Sequence, residues 1–479
     1  MRVLIISPHF PPTNAADMQR VRLLLPHLAA AGIEAEVLAV EPEQVAAPQD
    51  PWLAEGLPDE VPVHRVKALG LEWGKVPGLG VLSLRALGAI RRKGDELLGA
   101  ESKKWKVESG EGGCEACSFN LVYFSTTQFG IHVLGPEWKR KFGVPFAMDY
   151  QDPWVNDYYR EHPQVMPPGG RLKYTIASWM SRRQEPRVLR ECSGITSVSA
   201  AYPVQLARRY DWLKLDEFTA KTQRSQKEAN EGGLGVPKEL PISLPFAVLP
   251  FPGDARDLER VKESDVRQTV FDPSDGERHW VYVGRGGEDM ALAVRGIFSA
   301  ISHLQPPTFN LRLHFIGTSY AAAGQGVKTI EHLAAEYGLE DIVSEHPDRI
   351  PYSETLRCLL DAEALIIPGS DDRGYTASKI YPYLLAEKPL LAVFHEESSV
   401  VELLRKVGGG NVVGFRSEES AEAIGERVLE TAIDSGRKIR QVPLDSQAFR
   451  PHSAKEQAEL LREFLGRCLH LEISVPSHP

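Results

Sequence analysis

The sequence predicts an α/β chain of two doubly wound parallel-sheet domains, and three observations support this. Short, continuously apolar runs alternate with helical periodicity along the chain, as expected of strands covered on both faces. The 479 residues exceed the roughly 100 to 200 over which one core is usual. A polar, Gly-rich stretch at 219–241, including Lys221 through Gly233, separates two sets of elements, and its composition cannot bury a core.

In the first set, Val3 to Ser7 is the opening strand. Behind it Val21, Leu24, Leu25 and Leu28 recur at helical spacing, with Asp17 placed to cap the helix, Pro26 to kink it and Gly32 to stop it before a strand from Glu36 to Val40. From 48 to 120, Pro, Gly and charge alternate around Val81 to Leu84, and no element is assigned. Strands resume at 121–124, 145–148 and 194–198. The second set has strands at 280–283, 311–316, 364–367 and 390–394. A final helix carries Ala454, Ala458, Leu461 and Leu465 on one face and is expected to pack back across the first domain. The division is therefore 1–250, 270–450, a returning helix at 451–469 and a loose tail at 470–479.

Composition excludes several classes. Hydrophobic residues make up 42% of the chain and charged ones 25%, which is ordinary for a globular protein and unlike a disordered one. A net charge of -10 argues against a nucleic-acid partner, because such affinity rests on many Lys and Arg neutralising phosphates. Five scattered cysteines make no disulfide framework and suit a reducing compartment, so the expected location is cytoplasmic. The close pair Cys114 and Cys117 lacks the second pair or the histidines that a zinc site needs, and reads as two incidental thiols. No segment approaches the roughly 20 apolar residues that span a bilayer. The basic, partly aromatic run 171–190, with Lys173, Tyr174, Trp179, Met180, Arg182, Arg183 and Arg187, admits peripheral contact with the inner face of a membrane. The commoner reading is a solvated helix with its rings turned to the core. The sequence says nothing of oligomeric state.

Ligands of open parallel sheets bind beyond the carboxyl ends of the strands, so the loops there hold the candidates. The first, Ser7 to Arg20, lacks G-x-G-x-x-G and the close pyrophosphate approach that those glycines permit. It offers His9, Asn14 and Arg20 at a helix start, where an anion or sugar hydroxyl fits, or a Pro-stiffened loop that only caps its helix. Asp149-Tyr-Gln-Asp152-Pro-Trp154 sets two carboxylates beside two rings, a common way to hold sugars. Its carboxylates can accept from a hydroxyl or stabilise charge on a sugar ring, unless Asp152 simply caps a turn before Pro153. Gly284-Arg285-Gly286-Gly287 follows a strand and suits a diphosphate, through close backbone approach and the Arg285 fork. Gly317 closes the next strand. Between 366 and 389 come a strand, an acidic loop, a helix and a strand. Asp371 and Asp372, with Tyr375 beside them, suit sugar or ribose hydroxyls, while Ser378 and Lys379 open the helix where an anion binds.

At these residues the chain resembles retaining glycosyltransferases of family four, which have the GT-B architecture of two Rossmann-like domains facing across a cleft. The resemblance is carried by Pro11-Pro12 through Arg20, by Phe146-Ala-Met-Asp149-Tyr-Gln-Asp152-Pro-Trp154, by Tyr282-Val-Gly284-Arg285, and by Tyr375-Thr-Ala-Ser378-Lys379 leading to Lys388-Pro389. It implies a nucleotide-diphosphate sugar donor on the C-terminal domain, held by Gly284, Arg285, Gly286, Gly317, Asp371, Asp372, Tyr375, Ser378 and Lys379. A hydroxyl acceptor would lie on the N-terminal side, near His9, Asn14, Arg20 and Trp154. Asp149, Asp152, Arg285 and Lys379 would be catalytic, the last two neutralising the leaving diphosphate. Neither a metal nor a cofactor is implied, and the leaving phosphate itself would take the acceptor's proton. The chain departs from the family pattern where members carry two glutamates eight positions apart: the corresponding places here are Gly374 and Pro382. The lysine often found after the Gly-Arg turn is also missing, with Glu288 and Asp289 in that region. The expected function is hexosyl transfer with retention in polysaccharide, glycolipid or natural-product assembly. The alternatives are a non-catalytic nucleotide-sugar or glycan-binding relative, favoured by the missing glutamates, and a nucleotide-sugar epimerase.

Overall fold

Successive residues from Val3 to Ile6 of the opening strand enter two different cores, which is why that run has no polar position. In the computed structural model, which describes residues 1–76, 80–109, 119–161, 166–167, 170–218, 242–304, 310–319, 321, 324–372 and 379–473, strand β1 (Arg2–Ile6) sends Val3 and Ile5 into one apolar cluster and Leu4 and Ile6 into another. The first cluster is closed by Val21, Leu24, Leu25 and Leu28 of helix Met18–Leu28, together with Ala454, Ala458, Leu461 and Leu465 of helix Ala454–Ile473. The second takes Ala86 and Ile90 of helix Leu82–Ser109 and Leu134 and Trp138 of helix Leu134–Phe142.

The chain divides into two units, Met1–Pro252 with Ala454–Pro479, and Gly253–Ser453. The first holds β1, β2 (Glu34–Val40), β3 (Val63–Val66), β4 (Leu121–Ser125), β5 (Phe146–Tyr150), β6 (Gly194–Ser197), β7 (Leu213–Glu217) and β8 (Ile242–Val248). They form one parallel sheet in the order β3-β2-β1-β4-β5-β6-β8-β7. The chain steps outward from β1 to β3 and then returns to place β4 on the other flank of β1. The order therefore reverses between β1 and β4, where neighbouring loops part and leave a crevice.

The second unit holds β9 (Arg278–Val283), β10 (Leu311–Ile316), β11 (Val343–His346), β12 (Ala364–Pro368), β13 (Leu390–His395) and β14 (Asn411–Phe415), all parallel, in the order β11-β10-β9-β12-β13-β14. Its reversal lies between β9 and β12. Helices Ala291–Ser302 and Ala421–Ala432 cross against each other through paired glycines. A Cβ on Gly296 would stand 2.4 Å from Ile424, and one on Gly425 2.6 Å from the Ser299 hydroxyl.

Helix Leu82–Ser109 occupies a stretch to which the sequence assigned no element. Its buried Leu82, Ala86, Ile90 and Leu98 follow helical spacing, but Gly88, Gly94 and Gly99 interrupt the local helix preference and packing supplies the rest. Edge strands β3 and β7 are short and largely uncovered, so they lack the apolar run that marks β1. Asp17 is also not the cap expected of it: it makes no bond to its own helix and is turned to other partners. The 219–241 stretch and the Cys114 and Cys117 pair lie outside the described residues. Among the described residues, no helix is long and apolar enough to cross a membrane.

His132 has consequences for stability. It is buried against Phe124, Phe129 and Trp154, its Nδ1 lies 3.1 Å from the Phe129 carbonyl, and burial pulls its pKa down to about 3. Between pH 6.5 and about 3 the unfolded chain binds a proton that the native chain refuses, so this contribution to stability is present above pH 6.5 and lost as pH falls. His132→Phe is expected to shrink the loss of thermal stability between pH 7 and pH 5, measured by calorimetry relative to the unsubstituted chain.

Candidate functional site

The two sheet reversals each carry a polar cluster. In the second unit, β9 ends in Gly284-Arg285-Gly286-Gly287 and β12 ends in Gly369-Ser370-Asp371-Asp372, so the two loops flank the crevice between these strands. The backbone is fixed there by two tyrosines. Tyr383 accepts from the Val283 N–H at 2.6 Å and donates to the Val283 carbonyl at 3.0 Å, while Tyr282 donates to the Arg285 carbonyl at 2.7 Å. Lys379, at the start of helix Ile380–Leu385, donates from Nζ to the Tyr282 hydroxyl and lies 4.4 Å from the centre of that ring. Its described partner is therefore a phenol and not a carboxylate. Removal from water, followed by repulsion from Arg285, pulls its pKa down to about 7. Gly284 is needed for this approach, because a Cβ there would stand 2.0 Å from Nζ.

The Arg285 fork is turned to Asp289, with Nη1 to Oδ1 at 2.9 Å and Nη2 to Oδ2 at 2.6 Å. Burial acts to raise the Asp289 carboxyl, but hydrogen bonds from Arg285 and Ser370 outweigh it and leave the group below its ordinary value. The Asp371 N–H donates to the Asp289 carbonyl at 2.8 Å and ties the two loops together. Asp371 and Asp372 are exposed, and partial burial, Asp289 and Asp372 hold the Asp371 carboxyl above its ordinary value. Gly286 donates to the Thr318 carbonyl and Gly317 to the His346 carbonyl, both at 2.8 Å, so these two glycines serve the strand ends of β9 and β10.

In the first unit, the loops after β1 and β4 meet at Asp17. This buried carboxylate accepts from His9 Nδ1 at 2.7 Å, from the Thr126 hydroxyl at 3.0 Å, and from the Thr127 N–H and hydroxyl, both at 3.1 Å. Burial acts to raise Asp17, and His9, Thr127 and Thr126 together bring it below its ordinary value. A carboxylate on Nδ1 orients the ring and leaves Nε2 as the atom that can accept a proton, the arrangement of a general base. Asp152 reaches the solvent nearby, yet partial burial and then the Asp17 charge push it up to about 6. Sequence reasoning offered Asp17 only as a cap. The usable signal was its eight-residue spacing from His9 across a loop that needed a partner.

The other candidates of this unit face inward. Asp149, fully buried, pairs with Arg20 Nε at 2.6 Å and accepts from Ser125 at 3.0 Å, Thr196 at 2.8 Å and Gln151 at 2.8 Å. Arg20 also donates to the carbonyls of Leu249 and Pro250. The pair thus joins β5, the first helix and the chain leaving β8, which assigns both residues to the framework. Trp154 stacks on Phe129 with centroids 5.5 Å apart and is buried, as is Tyr150, whose hydroxyl donates to Glu185 at 3.3 Å. Neither ring offers an open face to a sugar. Asn14 holds its loop through its N–H, which donates to the Pro48 carbonyl at 2.8 Å. Tyr375 and Ser378 lie outside the described residues. Among the described residues, no group of three or more His, Cys, Asp or Glu is placed to hold a metal ion.

No protein-family model and no curated protein matches the chain. Among solved structures, it is similar to the N-terminal domain of trehalose-6-phosphate phosphatase from Candida albicans, at 11% identity and a TM-score of 0.53, over 97% of both chains. It is also similar to a UDP-forming α,α-trehalose-phosphate synthase from Burkholderia xenovorans, at 11% identity and a TM-score of 0.50, over 99% of both. The fold is GT-B. Identity at this level establishes the architecture and not the reaction, so within GT-B the chemistry has to come from this chain's own side chains. Those that the two sheet reversals collect are Lys379, Arg285 and Asp289 in one unit, and His9, Asp17 and Asp152 in the other.

Proposed function

We propose that the chain is a glycosyltransferase that moves a hexose-type sugar from a nucleoside-diphosphate sugar to a hydroxyl acceptor without a metal, in polysaccharide, glycolipid or natural-product assembly. The observation that carries this reading is the Lys379 and Arg285 pair at the second sheet reversal. Removal from water, with repulsion from Arg285 as the lesser cause, brings Lys379 to about 7, and a diphosphate offsets both by supplying the counter-charge. As the glycosidic bond breaks, the leaving diphosphate gains negative charge, so the same pair binds the transition state more strongly than the donor. The trehalose-phosphate synthase that shares the fold is described as UDP-forming, which favours a uridine diphosphate donor. Asp371 and Asp372 are the carboxylates within reach of ribose or sugar hydroxyls. The test is a thermal-shift panel of nucleoside diphosphates and their sugars: a selective rise for one base supports the reading, and no rise for any of them defeats it.

The resemblance implies retention, with the leaving phosphate taking the acceptor proton. A second reading, inversion, is favoured by the His9 and Asp17 pair, which presents Nε2 as a base for that proton. The anomeric configuration of the first product, read by proton NMR, separates the two.

The retaining reading carries a pH profile with two limbs. Asp152 accepts from the acceptor hydroxyl only when ionised, so kcat/KM is expected to fall as pH drops below about 6. Lys379 holds phosphate only when protonated, so kcat/KM also falls as pH rises above about 7. Asp152→Asn is expected to remove the acid limb and Lys379→Arg the alkaline one. Limbs that stay in place in both variants would assign them to other groups.

A further inference from the structure

The basic helix Arg171–Leu189 belongs to neither cluster. Its packed face is Tyr174, Ser178, Ser181, Glu185 and Val188, with Glu185 and Val188 buried and the Tyr174 hydroxyl donating to the Asn156 carbonyl at 2.9 Å. Half a turn around the helix, Leu172, Ile176, Trp179 and Arg183 repeat the same spacing and point away from the unit. Leu172 is 77% exposed, Ile176 52% and Trp179 58%, so the tryptophan ring is turned outward and only the tyrosine is turned in. A helix that meets water keeps its apolar stripe on the packed side; here a second stripe lies on the open side.

The patch continues beyond the helix. A Cβ on Gly80 would stand 3.4 Å from Lys173 Nζ, which sets Gly80 beside the helix. Val81 next to it, and Leu71, Trp73 and Val76 earlier in the chain, are each exposed by more than two fifths. The charge on the open side of the helix is reversed relative to the chain. Arg171, Lys173, Arg183 and Arg187 are exposed, the Arg183 guanidinium lying 4.9 Å from the centre of the Trp179 ring. The one acid of the helix, Glu185, faces inward to Arg209 at 3.1 Å and Tyr210 at 2.7 Å. The chain as a whole carries -10.

We propose that this face seats the first unit on an anionic lipid surface, with Leu172, Ile176 and Trp179 entering the boundary between headgroups and acyl chains and the basic residues meeting the headgroups. Apolar burial and charge each supply part of the affinity. Tryptophan suits that depth because its ring is apolar and its N–H is polar. Self-association through the same face would bring these basic residues against their own copies, which repel. The inference stands independently of the proposed reaction.

The test is co-sedimentation of the full chain with phosphatidylcholine vesicles, with and without phosphatidylglycerol. Binding is expected only with phosphatidylglycerol, weakening as salt is added. It should fall at least about tenfold in Leu172→Ser/Ile176→Ser/Trp179→Ser, through lost apolar burial, and at least about tenfold in Lys173→Glu/Arg183→Glu, through the loss of two basic contacts. Should the triple variant unfold, the charge-reversal variant and the lipid dependence decide. No binding to either vesicle, equal binding to both, undiminished binding by a folded variant, or a wild-type dimer that the triple variant dissolves would overturn the proposal. Nucleotide binding, measured separately without lipid, keeps this outcome distinct from that of the proposed reaction.

Discussion

Lys379→Ala is expected to weaken binding of the nucleoside diphosphate by roughly ten- to a hundredfold at pH 7, as loss of a hydrogen bond to a charged group worth about 1.5–3 kcal/mol requires. The expectation rests on where the ammonium sits: bonded to Tyr282, over its ring, and held at about 7 by removal from water and then by the charge of Arg285. A diphosphate beside Nζ would raise that value, so binding takes up a proton when pH lies between 7 and the raised value. The affinity of the unsubstituted chain therefore declines as pH climbs above about 7. Titration calorimetry at pH 8 in two buffers of different ionisation heat should show that uptake in the unsubstituted chain and none in Lys379→Arg. Arg285→Ala should add a second loss, because its fork is the other cation of the pair, although freeing Asp289 places an unpaired carboxylate in the same crevice. Unchanged affinity in both alanine variants would move the donor site elsewhere.

The largest effect on turnover is expected at His9. If its Nε2 takes the acceptor proton, His9→Ala should lower kcat by about 10²- to 10⁴-fold while leaving donor affinity in place. Asp17→Asn should lower kcat through orientation, since an amide no longer matches the donors from His9, Thr126 and Thr127. An inverted product with His9→Ala inactive would establish the base. A retained product with His9→Ala near full kcat would return the proton to the leaving phosphate.

Much of the architecture could be read from the chain because each local signal had one physical cause. The runs at 3–6, 121–124, 146–148 and 364–367 are apolar because both sheet faces are covered, and residues three and four apart mark the helices beside them. Strands β3 and β7 gave no such signal because they are edges, and helix Leu82–Ser109 gave little because glycines and charges dilute its stripe. The site was legible as loops and not as contacts. Position after a strand picked out the segments holding His9, Asp152, Arg285 and Lys379, since backbone direction alone puts strand ends on one side of a parallel sheet.

Side-chain partners were a different matter, because they come from residues distant in sequence. Arg20 and Asp149 looked like ligand groups until 128 intervening positions folded them onto each other as a buried pair, and Trp154 looked like a sugar platform until Phe129 covered its face. Asp17 looked like a cap until Thr126 and Thr127 came to it from β4. By itself the sequence determined the doubly wound sheets and which loops stand at their carboxyl ends, because periodicity and chain direction are local properties. Only the tertiary structure decided which polar groups remain available for chemistry: a buried charge or ring is claimed by whatever the fold brings within about 3 to 4 Å, and no local pattern encodes that distance.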